Sequence, residues 1–462
     1  MRKLIKIPVY TMQLRLYPNQ RQKEIIDTII YEVGKFCNIA IYDMFQNLKN
    51  VTEKCDKNDP SKTVHFPDLI SVTQKSYLNE IREQRDNMNF VPANALSGKH
   101  GAIHTDLKKR LQSQVKGDSK SLRPVEHSKP VYYSKAHPRT SYTYQETLGK
   151  FQFNTENYNV VYLKLNKLGI VKARGFKGYY ENLRFDPSGT MTFIDYCEIN
   201  RKKAVDFKIK KDNCNDYFVS IVLKDVYKYV EVSDELKHIG IDVGVETLMT
   251  LSNGTKYENP RFKNGMYGEI RQHRECLNRQ LARREGWANI KFRNNAKELR
   301  KNDIEPVISK NYEETKLKKA KLERTVARKR KKHMENMVLE VVREADFIGI
   351  ENLSLTDMFV RRDKSDAKMI NKRKKAINDS LSDAAMGEIL SLLKRKCDEY
   401  EVIIQEIGRY DKSSQTCSCC GYINKKTKDL NLRKWICPEC GAIHDRDVNA
   451  AINILNMAMK KN

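Results

Sequence analysis

Two cysteine pairs constrain this chain more than any other feature in it. Cys417 and Cys420 close one tight turn in Cys417-Ser418-Cys419-Cys420-Gly421, and Cys437 and Cys440 close another in Cys437-Pro438-Glu439-Cys440-Gly441. In each half the thiolates converge, and the following glycine relieves the backbone. Two such halves make a tetrahedral sulfur cage of the structural kind, with no open coordination position. The spacing therefore predicts a structural Zn²⁺ at Cys417, Cys420, Cys437 and Cys440. A redox reading of one C-x-x-C fails because it leaves the other half without a role. Cys419 interrupts the pattern and is read as a spare thiol rather than a competing ligand. His444 lies near in sequence, but four thiolates already complete the shell. The remaining cysteines are Cys37, Cys55, Cys197, Cys214, Cys276 and Cys397, scattered singly. That scatter suits small hydrophobes in a reducing compartment, not a secreted disulfide framework.

Three acidic residues stand around this knuckle in a telling order. Asp242 follows the apolar run Ile239-Gly240-Ile241, Glu351 follows Phe347-Ile348-Gly349-Ile350, and Asp447 opens a helical pattern just after the knuckle. Taken singly, an acid after an apolar strand is more often a turn or cap residue, and Asp447 could simply cap the last helix. Together they are two strand-end carboxylates and one at a helix start that could pack on the same sheet. Mg²⁺ is a hard ion that prefers carboxylate oxygens and substrate phosphate. Two such ions about 3.5–4 Å apart can work on a single phosphodiester.

Composition says what such a site would act on. Lys plus Arg number 86 against 59 Asp plus Glu, a formal charge of +27 on 462 residues. That surplus calls for an anionic partner, with nucleic acid first and an anionic membrane surface second. No stretch approaches the roughly 18–20 apolar residues of a membrane span. Met1 to Tyr10 alternates basic and apolar residues and lacks the apolar run of a signal peptide. A soluble, cytoplasmic protein without a membrane partner is expected. Hydrophobic residues make up 40% of the chain, enough for several packed domains.

Periodicity supplies a coarse map. Tyr10–Leu16 alternates as a strand, and Asn19 with Gln22 can cap a helix carrying Ile25, Ile26, Ile29, Ile30, Val33, Phe36 and Cys37. The polar stretch Lys49–Pro60 interrupts this helix, and more helix follows over Ile70–Arg85 and Ala95–Gln114. Lys116–Arg139 reads as a solvated linker or as a nucleic-acid-contacting loop, with Tyr132 and Arg139 as candidate contacts. Strand patterns fill Tyr142–Val232 and suggest a small antiparallel barrel. Its first strand comes from the N-terminus, with the helices inserted between. A new unit starts near His238, with strands Ile239–Asp242 and Thr247–Leu251. Long basic helices are expected over Gly268–Ala345, then a strand at Phe347–Glu351. An amphipathic helix over Asn378–Tyr400, a strand at Val402–Ile407 and a helix over Asp447–Met459 complete the map. Lys316–Lys332 holds ten cations against one acid, Glu323. So many like charges repel unless a polyanion lies against them, which makes Lys318, Lys319, Arg328, Arg330 and Lys331 candidate contacts.

The motifs also carry a resemblance. Gly240-Ile241-Asp242-Val243-Gly244, Ile350-Glu351-Asn352-Leu353 and Asp445-Arg446-Asp447-Val448-Asn449-Ala450-Ala451 resemble the three RuvC motifs of the transposon-encoded TnpB proteins and the miniature type V CRISPR effectors. Ser413-Ser414-Gln415-Thr416-Cys417 is similar to the start of that family's zinc knuckle, at the same place in the order. Arg15-Leu16-Tyr17-Pro18-Asn19 resembles its opening strand-to-helix step, and Lys164–Lys172 and Tyr217–Ser220 resemble its barrel strands. The likeness is weakest at about 50–130 and 262–335.

The resemblance implies a multidomain α+β protein. A wedge-type β-barrel would come from 1–18 and 128–234, with a helical recognition lobe at 19–127. An RNase H-like (RuvC) α/β nuclease domain would come from 235–416 and 441–462, carrying a basic helical insertion at about 262–345 and the zinc knuckle at 417–440. It implies an RNA-guided, Mg²⁺-dependent DNA endonuclease of prokaryotic cells. Such an enzyme binds a guide RNA, reads a short motif beside the target in double-stranded DNA, and leaves the rest to base pairing. Asp242, Glu351 and Asp447 would hold two Mg²⁺ ions, with Asp445 the weaker candidate for the third position. CRISPR-associated members include homodimers on one RNA, so a homodimer is among the expected assemblies. Two other functions share the pattern: an RNA-guided repressor that does not cut, and a guide-free transposase or resolvase. Intact acids at all three positions speak against the repressor.

Overall fold

The computed structural model describes residues 2–46, 50–55, 63–68, 74–83, 85–116, 133, 139–154, 156–261, 268–287, 310–353, 368–408, 411–429 and 432–461. They divide into two compact units, residues 6–228 and residues 1–5 with 229–462.

The first unit is built on one antiparallel sheet. Its strands are β1 (Arg2–Tyr17), β4 (Ser141–Thr147), β5 (Phe151–Phe153), β6 (Val160–Leu165), β7 (Gly169–Arg174), β8 (Leu183–Arg184), β9 (Ala204–Lys211) and β10 (Tyr217–Glu231), and a separate hairpin pairs β2 (Asn50–Cys55) with β3 (Thr63–Asp68). Helices α1 (Gln20–Gln46), α2 (Gln74–Glu83), α3 (Asp86–Asn89), α4 (Ala93–Lys116), α5 (Lys177–Asn182) and α6 (Phe193–Ile199) accompany it. The sheet order is β4-β9-β10-β1-β7-β6-β5, with β8 beside β10, so the N-terminal strand lies in mid-sheet.

Alternation decides which way each strand faces. Met12, Leu14 and Leu16 of β1 are buried, while Gln13, Arg15 and Tyr17 are exposed. Ile26, Ile29, Val33 and Phe36 of α1 join the same core as Leu14, Val161 and Ile221, so helix and sheet share one interior. The start of α1 is a reciprocal cap. The Gln22 N–H donates to Asn19 Oδ1 at 2.9 Å, and the Asn19 N–H donates to Gln22 Oε1 at 2.9 Å. The Gln22 amide also donates to the Leu168 and Ile170 carbonyls at 3.0 and 2.9 Å, tying the helix to the β6–β7 turn. Where only a polar interruption was expected after α1, the chain pairs Asn50–Cys55 with Thr63–Asp68.

The second unit centres on a five-stranded sheet of order β13-β12-β11-β14-β15, made of β11 (Lys237–Val243), β12 (Thr247–Leu251), β13 (Lys256–Glu258), β14 (Ala345–Glu351) and β15 (Ile403–Ile407). The β11–β14 and β14–β15 pairs are parallel, and β11–β12–β13 is antiparallel. Gly254, at φ 89, makes the tight β12–β13 turn foreseen at Asn253-Gly254. The helices are α7 (Gly268–Trp287), α8 (Lys310–Glu344), α9 (Lys368–Ala384), α10 (Met386–Tyr400) and α11 (Arg446–Met459), and a ribbon of β16 (Lys434–Ile436) and β17 (Ile443–Asp445) leads into α11. The single helix expected over Asn378–Tyr400 is two helices. Ala385 adopts a left-handed conformation at φ 49 and separates α9 from α10. Apolar periodicity did not reveal the break, because Leu381 and Ala384 before it and Met386 and Ile389 after it are all buried.

Helix α11 lies flat on the sheet for a specific reason. Gly240 of β11 and Gly349 of β14 are register partners. A Cβ on Gly240 would stand 2.0 Å from the Ala451 carbonyl oxygen, and one on Gly349 would stand 2.9 Å from Ala458 Cβ. The two bare positions, together with the small residues Ala451 and Ala458 of the helix, set how closely helix and sheet approach.

Candidate functional site

That close approach delivers the third acid to the other two. Ile241 pairs with Ile350 in the parallel β11–β14 ladder, so Asp242 and Glu351 follow side by side at the same end of the sheet. Asp447 sits in the first turn of α11, above that end. Burial pushes the Asp242 carboxyl up to about 7, and the negative charges of Asp447 and Glu351 add to it. Burial raises Glu351 as well, with Asp411 contributing. Asp447 and Glu351 thus both lie near enough to Asp242 for their charges to act on it, while the three carboxylates are not drawn in to within 4.8 Å of one another.

The structure separates the roles of the neighbouring aspartates. Asp445 is the cap of α11: its Oδ1 accepts from the N–H groups of Asp447 and Val448 at 3.1 and 3.2 Å. Its Oδ2 meets Lys256 Nζ at 2.8 Å. Because Asp445 caps the helix, the Asp447 side chain is left to face the other acids. Sequence reasoning missed one residue here. Arg433, just before β16, places Nη1 3.3 Å from Asp447 Oδ2 and pairs with Glu246. Its carbonyl also accepts from the Arg446 N–H at 2.8 Å. The only hint in the sequence is an arginine inside the knuckle, four residues before Cys437, and nothing local shows how far it reaches.

The four predicted zinc cysteines also come together, with their sulfurs all within 4.8 Å of one another. Cys417 and Cys440 are 3.7 Å apart, and Cys420 and Cys437 are 3.6 Å apart. Four thiolates on a tetrahedral ion at 2.3 Å would be about 3.8 Å apart, so the cage fits Zn²⁺. The halves are built alike. The Gly421 and Gly441 N–H groups donate to the Cys417 and Cys437 carbonyls at 2.9 Å, with φ of 81 and 70. Burial alone would raise the Cys417 thiol. Backbone N–H groups of Cys420 and Cys419, with the His444 ring, instead hold it down to about 6. His444 is closer than the sequence suggested: its Nε2 lies 3.0 Å from Cys417 Sγ and its ring packs on Trp435. Exposed Cys419 forms a second trio with Cys417 and His444.

Buried asparagines lock the knuckle to α11. Asn449 Oδ1 accepts from the Ser418 N–H at 2.9 Å, and its Nδ2 donates to the Thr416 carbonyl at 2.8 Å. Asn453 Nδ2 donates to the Ser413 and Thr416 carbonyls at 2.8 and 2.6 Å.

Of the candidate nucleic-acid contacts, Lys318 and Arg328 are exposed on α8. Lys319, Arg330 and Lys331 lie near Glu323, Glu388 and Glu335 at 3.7, 3.3 and 3.8 Å. Arg139 is spent inside the protein, donating to the Ser141 carbonyl, Cys37 Sγ and Tyr133 Oη. Tyr132 lies outside the described residues. No described helix is long and apolar enough to cross a membrane.

Comparison with known proteins agrees with the motif reading. A family model described as "Probable transposase" (OrfB, IS605 type) matches residues 220–362, and a model of the "Cas12f1-like, TNB domain" matches residues 387–454. A protein of Streptomyces pristinaespiralis is 28% identical over 247 residues, covering 54% of this chain and 51% of the relative. InsQ of Escherichia coli K12 is 26% identical over 252 residues, covering 53% and 54%. Both carry the name "Putative RNA-guided DNA endonuclease". Each match spans about half the relative's length. Among solved structures, a mini-RNA-guided endonuclease, CRISPR-Cas_phi3, aligns over 98% of this chain and 92% of its own with a TM-score of 0.47 and 10% identity. A Cas12f1–sgRNA–target DNA complex aligns over 98% and 99% with a TM-score of 0.39 and 14% identity. The chain is similar to the class of RNA-guided DNA endonucleases. Within that class it resembles the TnpB proteins and the miniature type V effectors.

Proposed function

We propose that this chain is an RNA-guided DNA endonuclease that hydrolyses phosphodiesters at Asp242, Glu351 and Asp447. The observation that carries this reading is the meeting of three acids from two parallel strands and a helix start, with the Asp242 carboxyl pushed up to about 7 by burial and by its acidic neighbours. Such mutual repulsion is what a divalent cation relieves. Two Mg²⁺ ions bound there would supply an activated water and stabilise the leaving oxygen. The chain's own contribution is geometric. The paired strands fix Asp242 against Glu351, the Asp445 cap fixes the first turn of α11, and Arg433 orients Asp447 and sets a positive charge at the site's edge.

The wider reading follows the same resemblance. Residues 1–18 and 128–234 act as a wedge barrel and 19–127 as a recognition lobe for a guide RNA. Residues 235–416 and 441–462 form the RNase H-like nuclease, with α8 offering Lys318, Lys319, Arg328, Arg330 and Lys331 to the nucleic acid. The knuckle at 417–440 holds a structural Zn²⁺. The target is double-stranded DNA, and the protein works in the prokaryotic cytoplasm, alone or as a homodimer.

The test is cleavage of a duplex matching the co-purified RNA, with and without Mg²⁺, by wild type and Asp242→Ala. Cutting should need both RNA and metal, and Asp242→Ala should bind the duplex without cutting it. Equal cutting by RNA-stripped protein at sites unrelated to the RNA would overturn the reading.

A further inference from the structure

The two halves of the knuckle differ in what stands between their ligands. The second half has Pro438 and Glu439, whereas the first has Ser418 and a further thiol, Cys419. A closed cage of four thiolates has no use for a fifth. It has no use for an imidazole either, yet His444 is held firmly beside it. The β16–β17 register sets His444 opposite Trp435, and the two ring centres are 4.6 Å apart. The His444 side chain is 7% exposed and sets Nε2 3.0 Å from Cys417 Sγ. Cys419 reaches the same sulfur from the first turn. Cys417 Sγ, Cys419 Sγ and His444 Nε2 all lie within 4.8 Å of one another, and neither Cys419 nor His444 joins the group of Cys417, Cys420, Cys437 and Cys440. The turn that carries Cys419 is anchored from outside, because the Ser418 N–H donates to Asn449 Oδ1 at 2.9 Å. Two further metal-binding side chains, from separate segments, thus meet at one thiol.

Two thiolates and one imidazole are a ligand set that holds zinc with its fourth position open to water. On such an ion, with Zn–S about 2.3 Å and Zn–N about 2.0 Å, neighbouring ligand atoms stand about 3.5–3.8 Å apart. The trio brackets that spacing, with one pair closer at 3.0 Å and every pair inside 4.8 Å. Sharing Cys417 is no obstacle. Four thiolates around one Zn²⁺ leave the cage net negative, and a thiolate sulfur bound to one ion keeps lone pairs for a second. Cys417 and His444 are buried while Cys419 is exposed, so an ion can enter from solvent on the Cys419 side. Mg²⁺ prefers oxygen ligands and does not compete for this set. A hydrogen bond between His444 and Cys417 would account for the 3.0 Å approach alone and would leave Cys419 without a role.

We propose that Cys417, Cys419 and His444 form a second zinc site, open to water at its fourth position and joined to the cage through the Cys417 sulfur. With three protein ligands, one of them shared, it fills after the cage and empties before it. The proposal rests on the reading of the four-thiolate cage as a zinc site, and the order of filling lets the two be tested apart.

The experiment strips the full chain of metal with a chelator under reducing conditions. The chain is then titrated with Co²⁺, whose absorption reports its ligands, and in parallel with Zn²⁺ followed by native mass spectrometry. Wild type should take up two equivalents in order. The first should give the spectrum of a tetrathiolate ion, and the second should add a distinct thiolate charge-transfer band and shifted visible bands. In Cys419→Ser and His444→Gln the first equivalent should bind as in wild type and the second should be lost. His444 is buried, so Cys419→Ser, at an exposed position, is the decisive variant, and with one equivalent bound it should melt like wild type. Saturation of wild type at one equivalent would overturn the second site. So would a second equivalent that Cys419→Ser binds as tightly as wild type. A single equivalent lost in Cys419→Ser yet kept in Cys440→Ser would overturn the cage, and with it the shared sulfur.

Discussion

Gly240 and Gly349 are register partners on neighbouring parallel strands, and together they form the bare strip on which α11 rests. The carboxylates of Asp242 and Glu351 lie two residues further along the same strands, and α11 carries the third. The fit of backbone against backbone is therefore a condition for the acidic site.

Gly240→Ala should damage both fold and site. The added Cβ would meet the Ala451 carbonyl oxygen at 2.0 Å, and backbone cannot swing away as a side chain can. Overpacking of this kind costs about 1–3 kcal/mol. Urea denaturation should show that loss, and cleavage should fall further than stability does because α11 is lifted from the acids. Gly254→Ala, in an open turn, should lose stability through its positive φ alone and keep its specific activity.

Asp242 should cost the metal-free protein stability at neutral pH. Its carboxyl is raised from 3.8 to about 7, so between those values the folded chain holds a proton that the unfolded chain releases. Stability from this group therefore falls as pH rises from about 4 to 7, by up to roughly 4 kcal/mol. In chelator, Asp242→Asn should melt above wild type at pH 7.5 and close to it at pH 4.5. Mg²⁺ should raise the melting temperature of wild type and leave that of the variant nearly unchanged.

Asp445 and Asp447 should separate cleanly. Asp445→Ala removes a helix cap and should cost about 1 kcal/mol of stability, leaving measurable cleavage. Asp447→Asn should abolish cleavage with little change in melting. The reverse pattern would exchange their roles.

Arg433→Ala should change metal dependence and rate in opposite senses. Freed of its cationic partner at 3.3 Å, Asp447 should half-saturate at lower Mg²⁺. The maximal rate should fall about tenfold, since one positive charge near the reacting phosphate is gone. Titrating Mg²⁺ in single-turnover cleavage separates the two effects.

Cys437→Ser should lose zinc, measured by atomic emission, and should unfold the segment around it because a structural site contributes folding energy. Cys419→Ser should retain one zinc per chain. Loss of zinc in the second variant would make Cys419 a ligand.

Much of this site was legible because its signals are local. The two Cys-x-x-Cys turns, the Asn19–Gln22 cap and the acids closing apolar runs each lie within a few residues. What escaped depends on contacts far apart in sequence. Nothing near Arg433 announces Asp447 and Glu246, and nothing in either strand says that Gly240 will lie beside Gly349. A count of four thiolates leaves His444 without a role, yet its Nε2 touches Cys417 Sγ at 3.0 Å. The division at Ala385 was invisible because the apolar pattern runs on through it.

The knuckle opens out of the sheet after β15 and closes into α11 through β17, with Asn449 and Asn453 holding its opening segment. The order of synthesis then acquires a meaning. Asp242 and Glu351 leave the ribosome well before Asp447, and on the proposed reading a knuckle that folds on zinc would come before the seating of the last helix. A nascent chain would then hold an incomplete and harmless version of the proposed cutting centre until zinc is in place. Scarcity of that one metal would withhold a reaction in which it takes no chemical part.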